Sequence, residues 1–432
     1  MSNKSKFHHD EAYKPLHVDE TVYLEDDESA PEEKEKAHLL TGFQSAVLIF
    51  KFCVGSGWFS LSAGFQYSGV LVGVIVVVTC GLFTTIGMQR LVKTSWEVAR
   101  RNGTQKAYFG DIGAACGKLI GERFEFIGRL LVELILSISV FCLSCPVILF
   151  IANIMKQGFD EQNIVHLDLS VWILFVFILC LPTVFIRRAD FLALASFVAN
   201  LLLFNACIAV FVNISTQSKE WKFNNSVKWS KLPLTFGIVL FAFEIAPFIL
   251  LVENKSGKPK QLPIVINVVM VAVSCCYVVA GALGYMSCSP NCEDSFILNL
   301  PKSWYYSISK VMLGLSSCCG LVLLIYIIFD IIDPILKREI REDRFNVVSV
   351  FSRSFILILT AAISASFPQL ANEMSFAGSF VTAIVGFLFP GISHTLLLYH
   401  DLSRFAILSN ILFILLGFLL LFVGVYSFLW MI

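Results

Sequence analysis

The chain has 432 residues, of which 57% are hydrophobic and 15% are Asp, Glu, Lys or Arg, and Phe alone occupies 40 positions. Soluble domains are roughly 45–50% apolar and about 25% charged. The composition therefore excludes a soluble globular protein and a disordered chain. The formal net charge is zero. Because a nucleic-acid-binding protein would show a basic surface, we expect no nucleic-acid partner.

Residues 1–38 form a long polar stretch with an acidic run at 24–28. A segment this poor in apolar side chains cannot bury enough surface to fold alone. We therefore expect a disordered acidic tail at 1–38 in the cytosol, followed by a transmembrane domain at 39–432.

The rest of the chain contains about eleven apolar stretches long enough to cross roughly 30 Å of hydrocarbon. They lie at 42–66, 69–92, 126–153, 169–186, 190–213, 233–252, 263–287, 304–333, 346–366, 375–398 and 405–430. The first two nearly merge, and the alternative is one long broken helix. This pattern predicts an all-α, multi-pass protein embedded in a lipid bilayer.

The orientation follows from Lys and Arg, which accumulate in cytosolic loops. Most of these residues lie in loops on the side of the N-terminus, at 93–125, 187–188, 255–260 and 337–344. The bias predicts a cytosolic N-terminus. Two glycosylation sequons, beginning at Asn213 and Asn224, then fall in or beside an outer loop. The plasma membrane and a vacuolar or lysosomal membrane both fit this orientation.

Other polar residues in or near the spans carry weaker signals. Cys288 and Cys292 share an outer loop, where either a local disulfide or two free thiols can exist. Lys310 and Arg353 lie a few residues from the predicted membrane interfaces, where we expect them to anchor the helices.

The first span contains a glycine pair, Gly55-Ser56-Gly57, within an apolar run. In lipid every backbone polar group must be satisfied, so such glycines mark a place where a helix can open if a cavity or ligand takes up the freed groups. The N–H groups where the helix restarts would attract a carboxylate through the helix dipole. The alternative is that small residues only let helices pack closely.

The sixth span contains a second interruption, at 241–247, with Glu244 and Pro247. Proline removes a helix hydrogen bond. Glu244 lies about eleven residues, or roughly 17 Å, from the start of its span. A carboxylate at this depth is costly unless it is protonated, paired or hydrated, which makes Glu244 a candidate for proton coupling. The alternative is a carboxyl group that only hydrogen-bonds a neighbouring helix.

These two spans are five apart and cross in opposite senses. Interrupted helices in corresponding positions of two inverted halves point to the binding site of a secondary transporter. The sequence has no Walker A motif and no H-E-x-x-H metal motif. We therefore expect neither ATP-driven transport nor enzymatic activity.

The segment 51–65, K-F-C-V-G-S-G-W-F-S-L-S-A-G-F, resembles the first-helix signature of the eukaryotic amino acid/auxin permease family, roughly K-x-F-V-G-T-G-x-L-x-L-P-x-A-F. Residues 236–244, F-G-I-V-L-F-A-F-E, resemble the family's sixth helix. The motif Glu253-Asn254-Lys255 is similar to the one that ends that helix in the proton-coupled and vacuolar branches.

The resemblance implies a fold like that of the bacterial leucine transporter, with two inverted five-helix repeats plus one helix. Amino acids would bind between the broken first and sixth helices. The implied binding residues are Gly55, Ser56 and Gly57 for the carboxylate, and Phe241, Ala242 and Phe243 for the amine. Members usually couple transport to protons and some to sodium, and the resemblance implies no further cofactor.

Three positions depart from the family pattern. Ser62 stands where Pro is usual, and Ile245 stands where proton-coupled members often carry Gly, which would narrow the side-chain pocket. Leu48 occupies a position where some proton-coupled members carry His. Proton coupling would then need another group, and Glu244 is our first choice.

We therefore expect a secondary active amino acid transporter that is proton-coupled, with sodium as the alternative ion, and works by alternating access. The alternative is an amino-acid sensor that binds its ligand but signals, with the tail at 1–38 docking a partner. An embedded enzyme is the least favoured hypothesis, because no nucleophile–base or metal constellation is visible.

Overall fold

The computed structural model of the chain describes residues 39–182, 189–216, 225–289 and 291–429. These residues are helices and loops, apart from an isolated bridge between Leu40 and Ser256. The predicted tail at 1–38 lies outside the described residues. The helices are α1 (Gly42–Cys53), α2 (Ser56–Asn102), α3 (Phe109–Ile120), α4 (Phe124–Asp160), α5 (Leu169–Cys180), α6 (Ala189–Thr216), α7 (Leu232–Ala242), α8 (Ile249–Lys255), α9 (Leu262–Cys288), α10 (Trp304–Glu339), α11 (Glu342–Ser366), α12 (Leu370–Val381), α13 (Phe389–Leu398) and α14 (Arg404–Leu429).

Local sequence signals set the start of several helices. At the start of α1, the Thr41 N–H donates to Gln44 Oε1 at 2.8 Å, and the Gln44 N–H donates to Thr41 Oγ1 at 3.3 Å. This capping box satisfies two N–H groups that have no partner within the helix. Helices α7 and α9 each have a proline in the first turn, where its missing N–H costs no hydrogen bond.

The predicted all-α membrane architecture is confirmed. Within the described residues, nine helical segments are long and apolar enough to cross a membrane, and the shorter apolar helices α1 and α5 complete the set. Together they account for every predicted span. In the most apolar 18-residue stretch of Trp229–Lys255, which includes α7 and α8, 89% of the residues are buried, whereas in the corresponding stretch of α14 17% are buried. The sixth span is therefore central and the last span is peripheral.

The first two spans are joined by a tight reversal at Gly69. Helix α2 has 47 residues, or about 70 Å at 1.5 Å per residue, which exceeds the bilayer thickness. Gly69 has φ 72°, and a Cβ there would lie 2.9 Å from the Asn225 backbone, so only glycine fits. Beyond the reversal, a Cβ on Gly73 would lie 2.7 Å from Phe65. Residues 56–68 and 70–102 therefore run antiparallel, as two spans.

Lys310 and Arg353 do not anchor at the membrane surface, so that prediction is wrong. Lys310 is fully buried, and its Nζ lies 2.7 Å from Glu161 Oε1. Arg353 Nη2 lies 2.5 Å from Asp333 Oδ2, and its guanidinium covers the Phe329 ring. The acids belong to other segments of the chain, and each pairing allows a cation to remain inside the bundle.

The two outer-loop predictions have different outcomes. Cys288 and Cys292 are joined, which selects the disulfide from the two states that the sequence leaves open. Asn213 is 2% exposed near the end of α6, so its side chain is enclosed by the bundle and this sequon gives the predicted orientation no support. The second sequon begins at Asn224, which lies outside the described residues.

Candidate functional site

The first interruption lies where the glycine pair predicts it. Helix α1 ends at Cys53, Val54 and Gly55 have extended backbones, and α2 begins at Ser56. The Trp58 N–H donates to the Gly55 carbonyl at 3.1 Å. The N–H groups of Ser56 and Gly57 stand at the start of a helix, where no carbonyl of the preceding turn is available. The restart of the helix therefore presents backbone donors at the interruption.

The second interruption follows Ala242. The Phe243 N–H donates to Val239 at 3.1 Å, and the Ile245 N–H then turns back to Phe243 at 2.8 Å. A single 3₁₀ turn, Ala246–Phe248, precedes α8. The Phe241 carbonyl accepts from the Glu244 N–H at 3.3 Å, and because a carbonyl has two lone pairs, each carbonyl of this turn can accept a second hydrogen bond. The segment therefore presents backbone acceptors opposite the donors of the first interruption.

The two interruptions contact each other directly. A Cβ on Gly57 would lie 2.7 Å from Ala242 Cα and 3.1 Å from its Cβ, so glycine is required for this approach. A Cβ on Gly55 would have no atom of another segment within 4 Å. The contact is thus closed at Gly57, and space is open beside Gly55.

Tyr277 joins the two interruptions, and sequence reasoning missed it. This α9 residue is fully buried, and its hydroxyl donates to the Ala242 carbonyl at 2.6 Å and also to the Cys53 carbonyl. One hydroxyl carries one hydrogen, so the two carbonyls share it. The ring of Phe243 packs against Tyr277 with centroids 4.6 Å apart. Tyr277 therefore ties together the last carbonyls of α1 and α7.

Glu244 lies between the sixth span and the tenth. Its side chain is 7% exposed, and Oε2 accepts a hydrogen bond from the Thr382 hydroxyl. Thr382 opens a π-helical turn, Thr382–Leu388, that connects α12 to α13. Such turns are frequent at functional sites. Oε1 of Glu244 has no hydrogen-bond partner among the described residues.

Access to the interruptions is unequal. Residues 51, 52 and 54–56 are partly exposed, whereas residues 57–65 are all buried. The Phe52 ring stacks on Phe248 with centroids 4.7 Å apart, which places an aromatic pair beside both interruptions. The opening at Gly55 therefore lies on the α1 side of the contact.

Glu373 is a second buried acid in the tenth span, and the sequence analysis missed it. It is 3% exposed, and neither carboxyl oxygen has a hydrogen-bond partner among the described residues. The predicted span begins at 375, but α12 begins at Leu370 and includes Glu373. Asp294, in the loop between α9 and α10, accepts from the Ala371 N–H at 3.4 Å, and burial raises the pKa of the Asp294 carboxyl.

The Glu253-Asn254-Lys255 motif fastens the end of α8. Glu253 is hydrogen-bonded to Ser95 and Trp96 near the end of α2, and Asn254 Nδ2 donates to the Ala107 carbonyl at 3.2 Å. The Leu40 N–H donates to the Lys255 carbonyl at 2.7 Å. The segment before α1 is thereby tied to the segment after α8.

Comparisons with known proteins agree with this geometry. Residues 39–429 match the family described as "Transmembrane amino acid transporter protein". The chain is 22% identical to "Proton-coupled amino acid transporter-like protein pathetic" from Drosophila melanogaster over 364 residues, which cover 83% of this chain and 77% of that protein. It is 23% identical to "Amino acid transporter ANT1" from Arabidopsis thaliana over 398 residues, which cover 87% and 89%. Because the family match spans most of the sequence, this chain belongs to the transmembrane amino acid transporter family.

Proposed function

We propose that this chain is a secondary active transporter that carries amino acids by alternating access and couples them to protons. The observation that carries the proposal is the contact of two interrupted spans at Gly57 and Ala242, with open space beside Gly55. The names of both relatives describe amino acid transporters, which supports transport rather than a sensor.

Two of the helix ends at the interruptions, the start of α2 and the end of α7, suit the two charges of a zwitterion. The N-terminal end of α2 carries partial positive charge, and the C-terminal end of α7 carries partial negative charge. An α-carboxylate would accept from the N–H groups of Gly55, Ser56 and Gly57. An α-amine would donate to the carbonyls of Phe241, Ala242 and Phe243. The Ala242 carbonyl already accepts from Tyr277 and uses its second lone pair for the amine.

The uneven access supports alternating exposure of this site. The residues on the α1 side of Gly57 are partly exposed, and those on the α2 side are buried. This is the arrangement of a state open towards the N-terminal end of the bundle. We place that end in the cytosol, because most basic loops lie there and positive loops remain cytosolic.

Glu244 is the coupling group of the proposal. One oxygen accepts from Thr382, and the other has no partner among the described residues. An intramembrane carboxylate in this state is costly, whereas a proton on the free oxygen removes the charge. Protonation on the acidic side and release on the alkaline side would link substrate movement to the proton gradient.

Uptake into proteoliposomes tests the proposal. With an imposed pH gradient and a clamped membrane potential, labelled amino acids should enter saturably and faster from the acidic side. Glu244→Gln should lose this dependence on the gradient. Glu253→Gln changes a buried acid on the same span away from the interruption, and it should keep the dependence even where its rate falls.

The outcomes separate the two parts of the proposal. Uptake that is unsaturable and independent of any gradient would contradict transport by this site. Saturable uptake driven by sodium alone, or full pH dependence in Glu244→Gln, would contradict only the proton role of Glu244.

A further inference from the structure

A cavity of about 240 Å³ lies at the end of the bundle that carries the N-terminal segment, between α2, α13 and α14. It is separate from the interruptions. Its polar lining consists of Gln89, Arg90, Lys93, His394, Ser409 and Asn410. A water molecule takes about 30 Å³ of liquid volume, so the cavity has room for a group of several heavy atoms.

Arg90 is the buried cation of this cavity. Its side chain is 8% exposed, and its guanidinium lies 4.1 Å from the centroid of the Phe413 ring. Nη2 donates to Ser409 Oγ at 2.7 Å, but Nη1 has no hydrogen-bond partner within the described part of the chain. A buried guanidinium normally pairs with an anion. Arg90 therefore has a donor available for one.

The other groups around the cavity add positive charge and donors. His394 is buried, and its Nδ1 lies 3.0 Å from Asn410 Nδ2. Arg90 and Lys93 line the same cavity as this imidazole. The lining of the cavity contains no Asp or Glu. Across the three helices, the charged and titratable groups of the lining are thus two cations on α2 and one histidine on α13, with neutral donors on α14.

We propose that this cavity binds a phosphate-bearing anion, with the side chains of Arg90, Lys93 and Asn410 as its donors. Guanidinium and phosphate geometries match, and such pairs are strong charge-assisted hydrogen bonds. Lys93 is exposed and Phe405 at the rim is 81% exposed, so the cavity opens to the outside of the bundle. Basic cavities between spans on the cytosolic side suit anionic lipid headgroups, and a free phosphate offers the same chemistry.

An occupant would contact spans that pack beside the proposed transport site. Gly87 lies one turn before Arg90, and a Cβ on Gly87 would collide with the Gly386 carbonyl in the π-helical turn that also holds Thr382. A bound anion would therefore hold α2, α13 and α14 together near the element that contacts Glu244. The proposal does not depend on the transported substrate.

The test uses the purified full-length protein in neutral detergent. Its unfolding temperature is measured with phosphatidylcholine alone, with added phosphatidylglycerol, and with inorganic phosphate, and retained lipid is identified by native mass spectrometry. We expect phosphatidylglycerol to raise the unfolding temperature and to be retained. Lys93→Gln should weaken its binding about fivefold, the factor expected for one cation near an anionic surface. Lys260→Gln, an exposed lysine at the same end of the bundle, should not.

Comparing phosphatidylglycerol with inorganic phosphate distinguishes the two sources of the anion. Stabilisation by phosphatidylglycerol and not by inorganic phosphate identifies a lipid headgroup, and equal stabilisation by both identifies a phosphate group alone. The proposal is overturned if neither anion stabilises the protein, or if Lys93→Gln and Lys260→Gln respond identically to phosphatidylglycerol. Lys93 is exposed, so its substitution does not disturb folding.

Discussion

The two halves of the first span differ sharply in how they are held. Beyond the interruption, residues 57–65 of α2 are all buried, and they pack on α7 and α9. Before it, α1 exposes Phe43, Val47 and Phe50, by 78%, 51% and 39%. The same span therefore has one half built into the core and one half attached at its edge.

The sixth span does not repeat this difference. All described side chains of α7 from Leu234 to Ala242 are buried except Phe236, and α8 is buried at Ile249, Leu250 and Val252. Both of its halves are thus enclosed by other helices. Under the proposed alternating access, we expect α1 to be the half-helix that moves, with Gly55 as its hinge. Three substitutions, each with a matched control, test this difference.

The largest expected effect is that of Gly57→Ala. Its Cβ would lie 2.7 Å from Ala242 Cα, and backbone cannot move aside as a flexible side chain can. We expect a loss of about 1–3 kcal/mol of stability from overpacking and uptake reduced more than about tenfold. Thermal unfolding and initial uptake rates measure the two effects.

Gly55→Ala is the matched control. The same methyl group enters open space, and the backbone of Gly55 is extended, which any residue adopts. The variant should unfold at the wild-type temperature, while its KM rises because the methyl group occupies space that the proposed substrate would fill. Equal unfolding temperatures for the two variants would contradict the difference between the tight and open sides of the interruption.

The positions of both interruptions could be predicted because they have local causes. Gly55 and Gly57 stand in an apolar run, and Pro247 and Glu244 stand in another. Each feature is read from a few neighbouring residues. Glycine and proline weaken a helix, and a carboxylate is costly at the depth of Glu244. Hydropathy likewise predicted the spans, because the bilayer sets their length.

The partners across the site could not be predicted in the same way. Tyr277 is an aromatic residue in an apolar stretch, and its role depends on two carbonyls of distant segments. Thr382 is likewise far in the sequence from its partner Glu244. The acids that pair with Lys310 and Arg353 also lie on other segments of the chain. Glu373 was missed because a helix start is not fixed by hydropathy alone. Most of the features that could not be predicted from the sequence are therefore contacts between segments that are distant in the chain.

A smaller effect on uptake is expected from Tyr277→Phe, which adds no atom to the contact at Gly57. It removes the hydroxyl that serves the last carbonyls of both α1 and α7 and leaves buried acceptors unsatisfied. We expect a loss of about 1–3 kcal/mol with the fold retained. Tyr285→Phe, a buried tyrosine on the same helix whose hydroxyl makes no hydrogen bond to either interruption in the described structure, should have little effect on the unfolding temperature. An unchanged unfolding temperature in Tyr277→Phe would show that the hydroxyl does not tie the half-helices.

The smallest effect is expected from Leu40→Pro, which tests what holds the edge of α1. The Leu40 N–H donates to Lys255, and its carbonyl accepts from Gly257 at 2.9 Å, so proline removes one of two hydrogen bonds. The expected cost is about 0.5–1.5 kcal/mol, confined to α1. Hydrogen exchange should therefore accelerate in α1 and stay unchanged at 57–65. Leu39→Pro changes the same residue type one position earlier, where no backbone hydrogen bond from the N–H is described, and it should leave α1 exchange unaltered. An edge helix held by local contacts must respond to their loss before the core does. Equal acceleration of exchange in α1 and at 57–65 would therefore contradict the comparison, since it would mean that the two halves of the span open as one unit.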